Sequence, residues 1–368
     1  MRTVSLGFVC LGFALLTAAC ATNASSGPAG APPAPRAPQT VASAGPAAAS
    51  PAATRPRVRL VATGGTISNR AGGRLTAEEL VQSIPELPRY ADAEFEQFAN
   101  VASSQLTLAQ WLALARRINA LFRDDPSLAG IVVTSGTDTL EETAYFLNLT
   151  VRDDRPVVVV GSMRNPSTLG YEGAANLLQG FRVAADPAAR GRGVLVVLND
   201  EINAAREATK TDALRLQTFQ TRGYGVLGVV DSDRVVFYRK PERRHTAASE
   251  FDVSTVTELP RVDVLLTYQG APGDLIRAAV DAGARGIVIA SAGAGAMSGT
   301  QFEGVQYARS RDVAVVVTTR AGSGRVTAGR GAVIGGEDLA PIKARILLML
   351  ALTNTRDPDE LRRIFAEY

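Results

Sequence analysis

Short apolar runs alternate with longer segments of helical periodicity from residue 57 onward. Uniformly apolar runs are typical of strands that are covered on both faces, and apolar positions every three or four residues are typical of amphipathic helices. We predict strands at residues 58–62, 98–101, 131–133, 157–160, 194–198, 262–266, 287–289 and 313–317. We predict helices at residues 140–149, 174–184, 341–352 and 357–367. The alternation favours an α/β fold with a parallel sheet and helices on both of its faces.

Two further helices are predicted by capping boxes, in which a threonine is followed three residues later by Glu or Gln. Thr76 and Glu79 form the first box. Thr107 and Gln110 form the second, just before an apolar run that begins at Trp111. Each box predicts that a helix begins at the residue after its threonine.

A polar stretch at about residues 242–260 interrupts the alternation, which then restarts. We therefore predict two α/β domains: a larger N-terminal catalytic domain with a parallel sheet over residues 57–243, and a smaller C-terminal domain over residues 262–368. Residues 244–261 are the predicted linker.

The N-terminus has the pattern of an export signal. Residues 1–20 combine Arg2, an apolar run at residues 4–16 and small residues before Cys20. The apolar run is too short to span a bilayer as a stable helix. Residues 16–20 resemble a bacterial lipobox, which predicts that Cys20 is acylated. Cleavage of an ordinary signal peptide nearby is the alternative.

Residues 21–56 are rich in Ala and Pro and nearly free of charge. Such a stretch buries too little apolar surface to offset the entropy lost on ordering, so we expect a disordered tether between a lipid anchor and the folded body. The expected location is the periplasm. Because Ala21 is not an aspartate, the outer membrane is the expected site of anchoring.

Composition excludes several classes of site. With 46% apolar residues, a net charge of +3 and no run of like charge, the chain has enough apolar residues for a large core and no pattern that suggests nucleic-acid binding. The only histidine is His245, which excludes metal sites built from several histidines and leaves one Ser-His or Cys-His pairing. Cys10 and Cys20 both lie in the export segment, so the mature body has no internal disulfide.

Polar side chains follow the predicted strands of the first domain. They are Thr66 after the first strand, Ser104 and Gln105 after the second, Thr137 and Asp138 after the third, Ser162 after the fourth, and Lys210 in the loop after the fifth. Because ligands bind outside the carboxyl ends of parallel strands, we expect these side chains to share one rim.

Lysine is the natural proton acceptor on such a rim. A hydroxyl nucleophile needs a base, and arginine stays protonated. Of 39 Lys and Arg residues, only Lys210, Lys240 and Lys343 are lysines, so a lysine on the rim supports a role in proton transfer. Asp138 could orient Lys210 and accept a substrate ammonium, and backbone amides beside glycines could form an oxyanion hole.

Each of these features also has a structural explanation. The pair Gly64-Gly65 could simply end a strand, Ser104 and Gln105 could be surface residues, and Thr137-Asp138 could only cap the following helix. His245, in the polar connection, fits a structural hydrogen-bonding role better than a catalytic one. The prediction therefore depends on the whole set of residues.

Residues 62–67 (Ala-Thr-Gly-Gly-Thr-Ile) and 136–144 (Gly-Thr-Asp-Thr-Leu-Glu-Glu-Thr-Ala) resemble the bacterial type II L-asparaginase family. Residues 160–164 and 208–211 extend the resemblance, which covers about residues 57–368. It implies hydrolysis of L-asparagine to L-aspartate and ammonia, often with some activity on glutamine, and no cofactor or metal. It also implies a homodimer or homotetramer with active sites at the dimer interface.

The resemblance also implies roles for the rim residues. Thr66 matches the acylated nucleophile of the family, and Thr137, Asp138 and Lys210 match its second catalytic triad. The resulting mechanism is attack of Thr66 on the side-chain carbonyl, release of ammonia and hydrolysis of a β-aspartyl ester.

Substrate binding is implied for residues of the same rim. Asp138 and Gln105 match the groups that bind the α-ammonium, and Ser104 matches the group that binds the α-carboxylate. Thr137 lies near the scissile carbonyl, and Ser162 stands where a backbone carbonyl meets the substrate amide.

The chain departs from the family pattern in its loops. Residues 67–75 lack the family's loop tyrosine, for which Tyr171 is the nearest substitute. Residues 293–296 are Gly-Ala-Gly-Ala where the family has Gly-Asn-Gly-Asn, and no acid lies between residues 320 and 337. Glu172 stands in place of the usual aspartate.

These departures leave other functions open. The alternatives are an enzyme that prefers glutamine or a related ω-amide, and a binding lipoprotein that has lost catalysis. A transfer-RNA amidotransferase subunit is disfavoured, since the chain carries an export signal and no nucleic-acid module.

Overall fold

The structure is a computed structural model that describes residues 55–327 and 333–368. The predicted export signal, Cys20 and the tether up to residue 54 lie outside the described residues. The Asp92 amide donates a 3.0 Å hydrogen bond to the Pro56 carbonyl, so Pro56 belongs to the folded body rather than to the tether. None of the helices in the two described ranges is long and apolar enough to cross a membrane.

The described ranges contain sixteen strands. In chain order they are β1 (Arg57–Gly64), β2 (Asn69–Arg70), β3 (Gly73–Arg74), β4 (Asp92–Val101), β5 (Leu128–Thr134), β6 (Val157–Val160), β7 (Val194–Leu198), β8 (Glu201–Ala204), β9 (Ala208–Lys210), β10 (Phe219–Thr221), β11 (Gly228–Val230), β12 (Val235–Phe237), β13 (Val262–Leu266), β14 (Gly286–Ser291), β15 (Ala314–Thr319) and β16 (Ile334–Gly335).

The same ranges contain eight α-helices. They are α1 (Ala77–Gln82), α2 (Leu108–Asp124), α3 (Leu140–Thr150), α4 (Gly173–Ala185), α5 (Asp274–Asp281), α6 (Gln301–Ser310), α7 (Pro341–Asn354) and α8 (Pro358–Glu367). Both predicted capping boxes are confirmed, at Thr76 and at Thr107, and each begins a helix at the following residue.

The larger sheet has the strand order β12-β11-β8-β7-β6-β5-β1-β4. Five of its eight strands, β4, β1, β5, β6 and β7, are parallel. The apolar residues that predicted β1, β5, β6 and β7 are buried within it, whereas the edge strand β4 is only partly buried. The strands β8, β11 and β12 extend it in antiparallel pairing. They were not predicted, because strands of three or four residues show no distinct apolar run.

The smaller sheet, β13-β14-β15-β16, is entirely parallel. We call the part of the chain that contains it the smaller lobe, and the part that contains the larger sheet the larger lobe. Helix α7 contacts both α3 of the larger lobe and β13 and β14 of the smaller one. The predicted α/β class with a larger N-terminal and a smaller C-terminal part is confirmed.

The helices bury an apolar stripe against these sheets. On α2, the positions Trp111, Ala115, Ile118 and Phe122 recur at helical spacing and are all buried. Trp111 also stacks on Phe146 of α3, with ring centroids 5.2 Å apart. This packing fixes α3, whose N-terminal end supports the candidate site.

Candidate active site

The turn that carries Thr66 lies directly against the turn that follows β5. Gly64 and Gly65 have φ angles of 104° and 91°, a region that favours glycine. A β-carbon on Gly65 would lie only 2.2 Å from the backbone nitrogen of Gly136, so this close approach requires glycine. The Thr66 turn and the Thr137 turn therefore meet at the carboxyl edge of the larger sheet, which is where the sequence placed them.

Thr66 begins a single 3₁₀ turn, Thr66–Ser68, and is half-buried. The turn is closed by Ser68, whose amide and hydroxyl both donate to the Gly65 carbonyl, at 3.1 and 3.0 Å. Within residues 55–327 and 333–368, the hydroxyl of Thr66 has no hydrogen-bond partner. A hydroxyl on a braced turn with no internal partner is available to react with a small molecule.

Lys210 contacts both Thr137 and Asp138, which lie in the turn after β5. Its ammonium donates to Thr137 Oγ1 at 3.0 Å and to Asp138 Oδ1 at 2.9 Å. The exposed fraction is 5% for Thr137 and 16% for the Lys210 side chain, against 75% for the Asp138 side chain. Of these three residues, the Thr137 hydroxyl is buried and the Asp138 carboxylate is exposed. The exposed carboxylate is accessible to a cationic group of a ligand.

The capping explanation for Thr137 and Asp138 is wrong. The N-cap of α3 is Thr139, whose side chain makes no capping hydrogen bond. The two side chains are therefore committed to Lys210 instead of to the helix start.

The turn after β4 brings Ser104 and Gln105 to the same edge. Both lie in the 3₁₀ turn Ser103–Gln105, and both are exposed. The neighbouring Ser103 is buried, and its hydroxyl accepts a 3.3 Å hydrogen bond from the Thr139 amide. Ser103 thus ties this turn to the one that carries Asp138, although nothing in the sequence pattern distinguished it from Ser104.

Ser162 lies in the turn after β6, and this turn also packs against Thr137. A β-carbon on the adjacent Gly161 would lie 3.3 Å from Thr137 Cγ2. The Ser162 side chain is fully buried, and its hydroxyl donates to the Arg164 carbonyl at 2.6 Å. Its hydroxyl is therefore occupied, which is compatible with a role for the backbone carbonyl only.

Tyr171 reaches the Thr66 turn from the segment after β6. Its hydroxyl donates a 2.8 Å hydrogen bond to the carbonyl of Ile67, the residue after Thr66. Burial, with the negative charge of Glu172, raises the pKa of the Tyr171 phenol and keeps it protonated. Glu172 accepts hydrogen bonds from the Met163 and Arg164 amides, and so braces the segment internally.

His245 lies away from this rim. A β-carbon on Gly193, just before β7, would lie 3.2 Å from the His245 ring, so the ring sits at the amino end of the sheet. Its Nδ1 is 2.8 Å from Thr246 Oγ1, and burial lowers its pKa. The structure thus favours a packing role for His245.

Glu141 holds the backbone of Lys210 in place, and this role was not predicted from the sequence. Glu141 Oε1 accepts hydrogen bonds from the Lys210 amide at 2.9 Å and from Thr209 Oγ1 at 3.1 Å. The available signal was its position three residues after Asp138, which places both near the first turn of α3. Among the described residues, no group of three or more His, Cys, Asp or Glu side chains is placed to hold a metal ion.

In a comparison with known proteins, the chain matches two family models. The model of the asparaginase N-terminal domain matches residues 57–243, and the model of the glutaminase/asparaginase C-terminal domain matches residues 261–365.

Individual relatives cover most of the chain. It is 43% identical over 327 residues to the L-asparaginase 2 of Bacillus subtilis, covering 85% of this chain and 87% of the relative. It is 37% identical over 328 residues to the probable periplasmic L-asparaginase of Haemophilus influenzae, covering 85% and 93%. The crystal structure of a probable cytoplasmic L-asparaginase from Campylobacter jejuni superposes with a TM-score of 0.82 at 38% identity, covering 85% of this chain and 100% of the other.

Proposed function

Because the chain belongs to the asparaginase family, we propose that it hydrolyses the side-chain amide of L-asparagine to L-aspartate and ammonia. Both family models match, so the chain is an asparaginase-type enzyme. The observation that carries the proposed chemistry is the Lys210 ammonium, which contacts Thr137 and Asp138 together.

The proposed nucleophile is Thr66. Its hydroxyl attacks the side-chain carbonyl carbon, and the tetrahedral intermediate collapses with release of ammonia, which leaves a β-aspartyl ester on Thr66. Water then cleaves the ester and restores the hydroxyl. Backbone amides beside Gly65 and Gly136 are the proposed oxyanion hole, since the two turns meet there.

Proton transfer is assigned to Thr137, Lys210 and Asp138. Lys210 exchanges a proton with the Thr137 hydroxyl across 3.0 Å, and Asp138 holds the amine in place. The pairing of a buried hydroxyl with a lysine supports this assignment, because the rim lacks an imidazole and arginine cannot release its proton at neutral pH.

Substrate selection is proposed to use the outward side chains of the rim. The exposed carboxylate of Asp138, with Gln105, accepts the α-ammonium, and Ser104 binds the α-carboxylate. The Ser162 carbonyl accepts from the substrate amide. Because the segments 293–296 and 321–336 lack the family's amide and acid, each missing charge-assisted contact costs about 1.5–3 kcal/mol of binding where nothing replaces it.

Two alternatives have specific support. The C-terminal family model is named for glutaminase as well as asparaginase, which favours glutamine as a second or preferred substrate. The missing loop groups favour a protein that binds an amino acid but turns it over slowly. The intact set of Thr66, Thr137, Asp138 and Lys210 weighs against complete loss of catalysis.

Location and assembly are proposed from the sequence and its resemblance. An export signal with acylation of Cys20 would anchor the enzyme on the periplasmic side, as a homodimer or homotetramer. Globomycin-sensitive palmitate labelling of the wild-type chain, absent in Cys20→Ala, is the expected result. Labelling that persists in the variant would contradict the anchor.

Ammonia release by the purified protein from L-asparagine, L-glutamine and small ω-amides tests the proposed function. We expect the highest kcat/KM with L-asparagine. A higher value with glutamine would support the glutaminase alternative. Binding of L-aspartate without ammonia release from any amide would support the binding protein and contradict the proposal.

A further inference from the structure

The strand that carries Lys210 has little support from its own sheet. Strand β9 has three residues and pairs with the three-residue β10, in a two-stranded sheet separate from the larger one. An isolated two-stranded sheet is marginally stable in water. The position of Lys210 therefore depends on contacts from other elements.

Glu141 of α3 makes one of these contacts. Only 5% of Glu141 is exposed, and its Oε1 binds both the amide of Lys210 and the hydroxyl of Thr209. Asp138, three residues earlier, binds the ammonium of the same lysine. The start of α3 thus holds the backbone and the head group of Lys210 at once.

Lys343 of α7 supports the same strand from the smaller lobe. It is 1% exposed, and its ammonium donates to the Arg206 carbonyl at 3.0 Å and to the Ala208 carbonyl. The ammonium also lies 3.7 Å from Glu141 Oε2, the carboxylate oxygen with no hydrogen-bond partner among the described residues. Lys343 therefore contacts both the entry to β9 and the carboxylate that binds it.

A buried ion pair is a costly way to stabilise a fold, because well-packed apolar side chains of similar volume do as well or better. Burial lowers the pKa of Lys343 to about 8, so the ammonium persists at neutral pH. The charges of Glu141 and Glu207 oppose the shift, and the charge of Arg206 reinforces it. Orientation of a neighbouring group accounts for this pair better than stability does.

We propose that Lys343 and Glu141 are positioning residues that fix the ammonium of Lys210 in the active site. The smaller lobe then contributes to proton transfer without touching the substrate. The kinetic test of this inference rests on the proposed function, whereas its chemical test does not.

The kinetic test uses Glu141→Gln, which keeps side-chain volume but replaces one carboxylate oxygen by an NH2 donor, and this donor must face either the Lys343 ammonium or the donor groups of Lys210 and Thr209. We expect kcat to fall about 10- to 100-fold with KM changed less than about threefold, because Lys210 is misplaced while the outward binding groups remain. Glu142→Gln is the matched control, since Glu142 pairs with Arg345 and not with β9. Its kcat should equal that of the wild type.

A double-mutant cycle tests whether the two residues act through one path. Lys343→Met should lower kcat by a similar factor. The combination of Lys343→Met with Glu141→Gln should lower it by much less than the product of the two factors. Independent, multiplicative effects, or a wild-type kcat in a folded Glu141→Gln variant, would overturn the proposal.

The chemical test compares two of the three lysines of the chain. Limited acylation with an amine-reactive ester, read by peptide mass spectrometry, gives the reactivity of Lys210 relative to the exposed Lys240 in the same molecule. We expect this ratio to rise at least about threefold in Glu141→Gln, since the Lys210 ammonium is released from its partners. An unchanged ratio in a folded variant would overturn the positioning role even if the wild type proves inactive on asparagine. If the ratio rises in the variant while the wild type releases no ammonia from asparagine, only the proposed function is refuted.

Discussion

Lys210 Nζ lies 3.0 Å from the hydroxyl oxygen of Thr137, and this hydroxyl is almost completely buried. The contact joins a strand from one part of the larger lobe to a turn from another, across 73 positions of sequence. We propose this amine and hydroxyl as a proton-transfer pair, and the predictions below follow from the geometry of the site and of the residues around it.

Lys210→Arg keeps the positive charge but replaces the amine by a guanidinium, which stays protonated. We expect kcat to fall about 10²- to 10⁴-fold, the usual contribution of general acid–base catalysis. Steady-state ammonia release measures the change. Lys240→Arg, at an exposed position, serves as the control and should keep wild-type kcat. Wild-type rates in Lys210→Arg would refute proton transfer by this lysine.

Gly65→Ala tests the contact between the turns that carry Thr66 and Thr137. The new β-carbon would meet the backbone of Gly136 at 2.2 Å, so the turns must separate. We expect the loss of activity to exceed that of Gly72→Ala, where φ is also positive, at 81°, but no atom lies within 4 Å. Ammonia release and urea unfolding of both variants separate the steric effect from backbone strain. Equal activity in the two variants would contradict the close approach.

The burial of Lys343 predicts a pH-dependent contribution to stability. Its pKa is about 8 in the folded chain and about 10.5 in the unfolded chain, so between these values the unfolded chain binds the extra proton. The free energy of unfolding should therefore rise by up to about 3 kcal/mol from pH 8 to pH 10.5 through this group. Urea unfolding of wild type and Lys343→Met across this range measures the difference, which should widen in favour of wild type. Parallel curves would contradict a depressed pKa.

Asp338→Asn should destabilise the fold. Asp338 accepts two hydrogen bonds from Arg206, at 2.9 and 2.7 Å, and both side chains are less than 10% exposed. Loss of the carboxylate leaves a buried guanidinium uncompensated, at a cost of about 3–5 kcal/mol. The exposed Asp233→Asn is the control and should change the free energy of unfolding by less than about 0.5 kcal/mol. A loss below 1 kcal/mol in Asp338→Asn would contradict this account of the pair.

The same ion pair predicts acid sensitivity. Although burial opposes it, hydrogen bonding to Arg206 holds the pKa of Asp338 below its usual 3.8. A depressed carboxyl pKa stabilises the fold above the unfolded-state value, so this contribution is lost as pH falls below about 4. The wild type should lose more stability than Asp338→Asn over that range.

The parallel strands of the core, and the position of the rim residues at one edge of the sheet, can be predicted from the sequence because both depend on local patterns. Buried apolar runs mark parallel strands, and the carboxyl ends of such strands share one edge. This reasoning predicts a shared rim for Thr66, Thr137 and Lys210. The capping boxes at Thr76 and Thr107 were readable for the same reason, since each involves residues three positions apart.

The contacts that hold the candidate site in place could not be predicted from the sequence, because they join residues that are far apart along the chain. The contact of Tyr171 with Ile67 spans 104 positions, and that of Lys343 with Ala208 spans 135. No periodicity or motif in the sequence predicts which strand a buried charged side chain contacts. The short antiparallel strands β8 to β12 are not predicted from the sequence, because strands of three or four residues show no distinct apolar run.

The role of Thr66 as nucleophile is tested most directly by ammonia release from L-asparagine by Thr66→Ala, compared with wild type at equal concentration. Circular dichroism and L-aspartate binding verify that the variant is folded and that its pocket is intact. We predict that the variant binds L-aspartate but that its kcat is at least about 10⁴-fold lower than that of wild type. Undiminished ammonia release by Thr66→Ala would contradict the assignment of Thr66 and the acyl-enzyme mechanism with it.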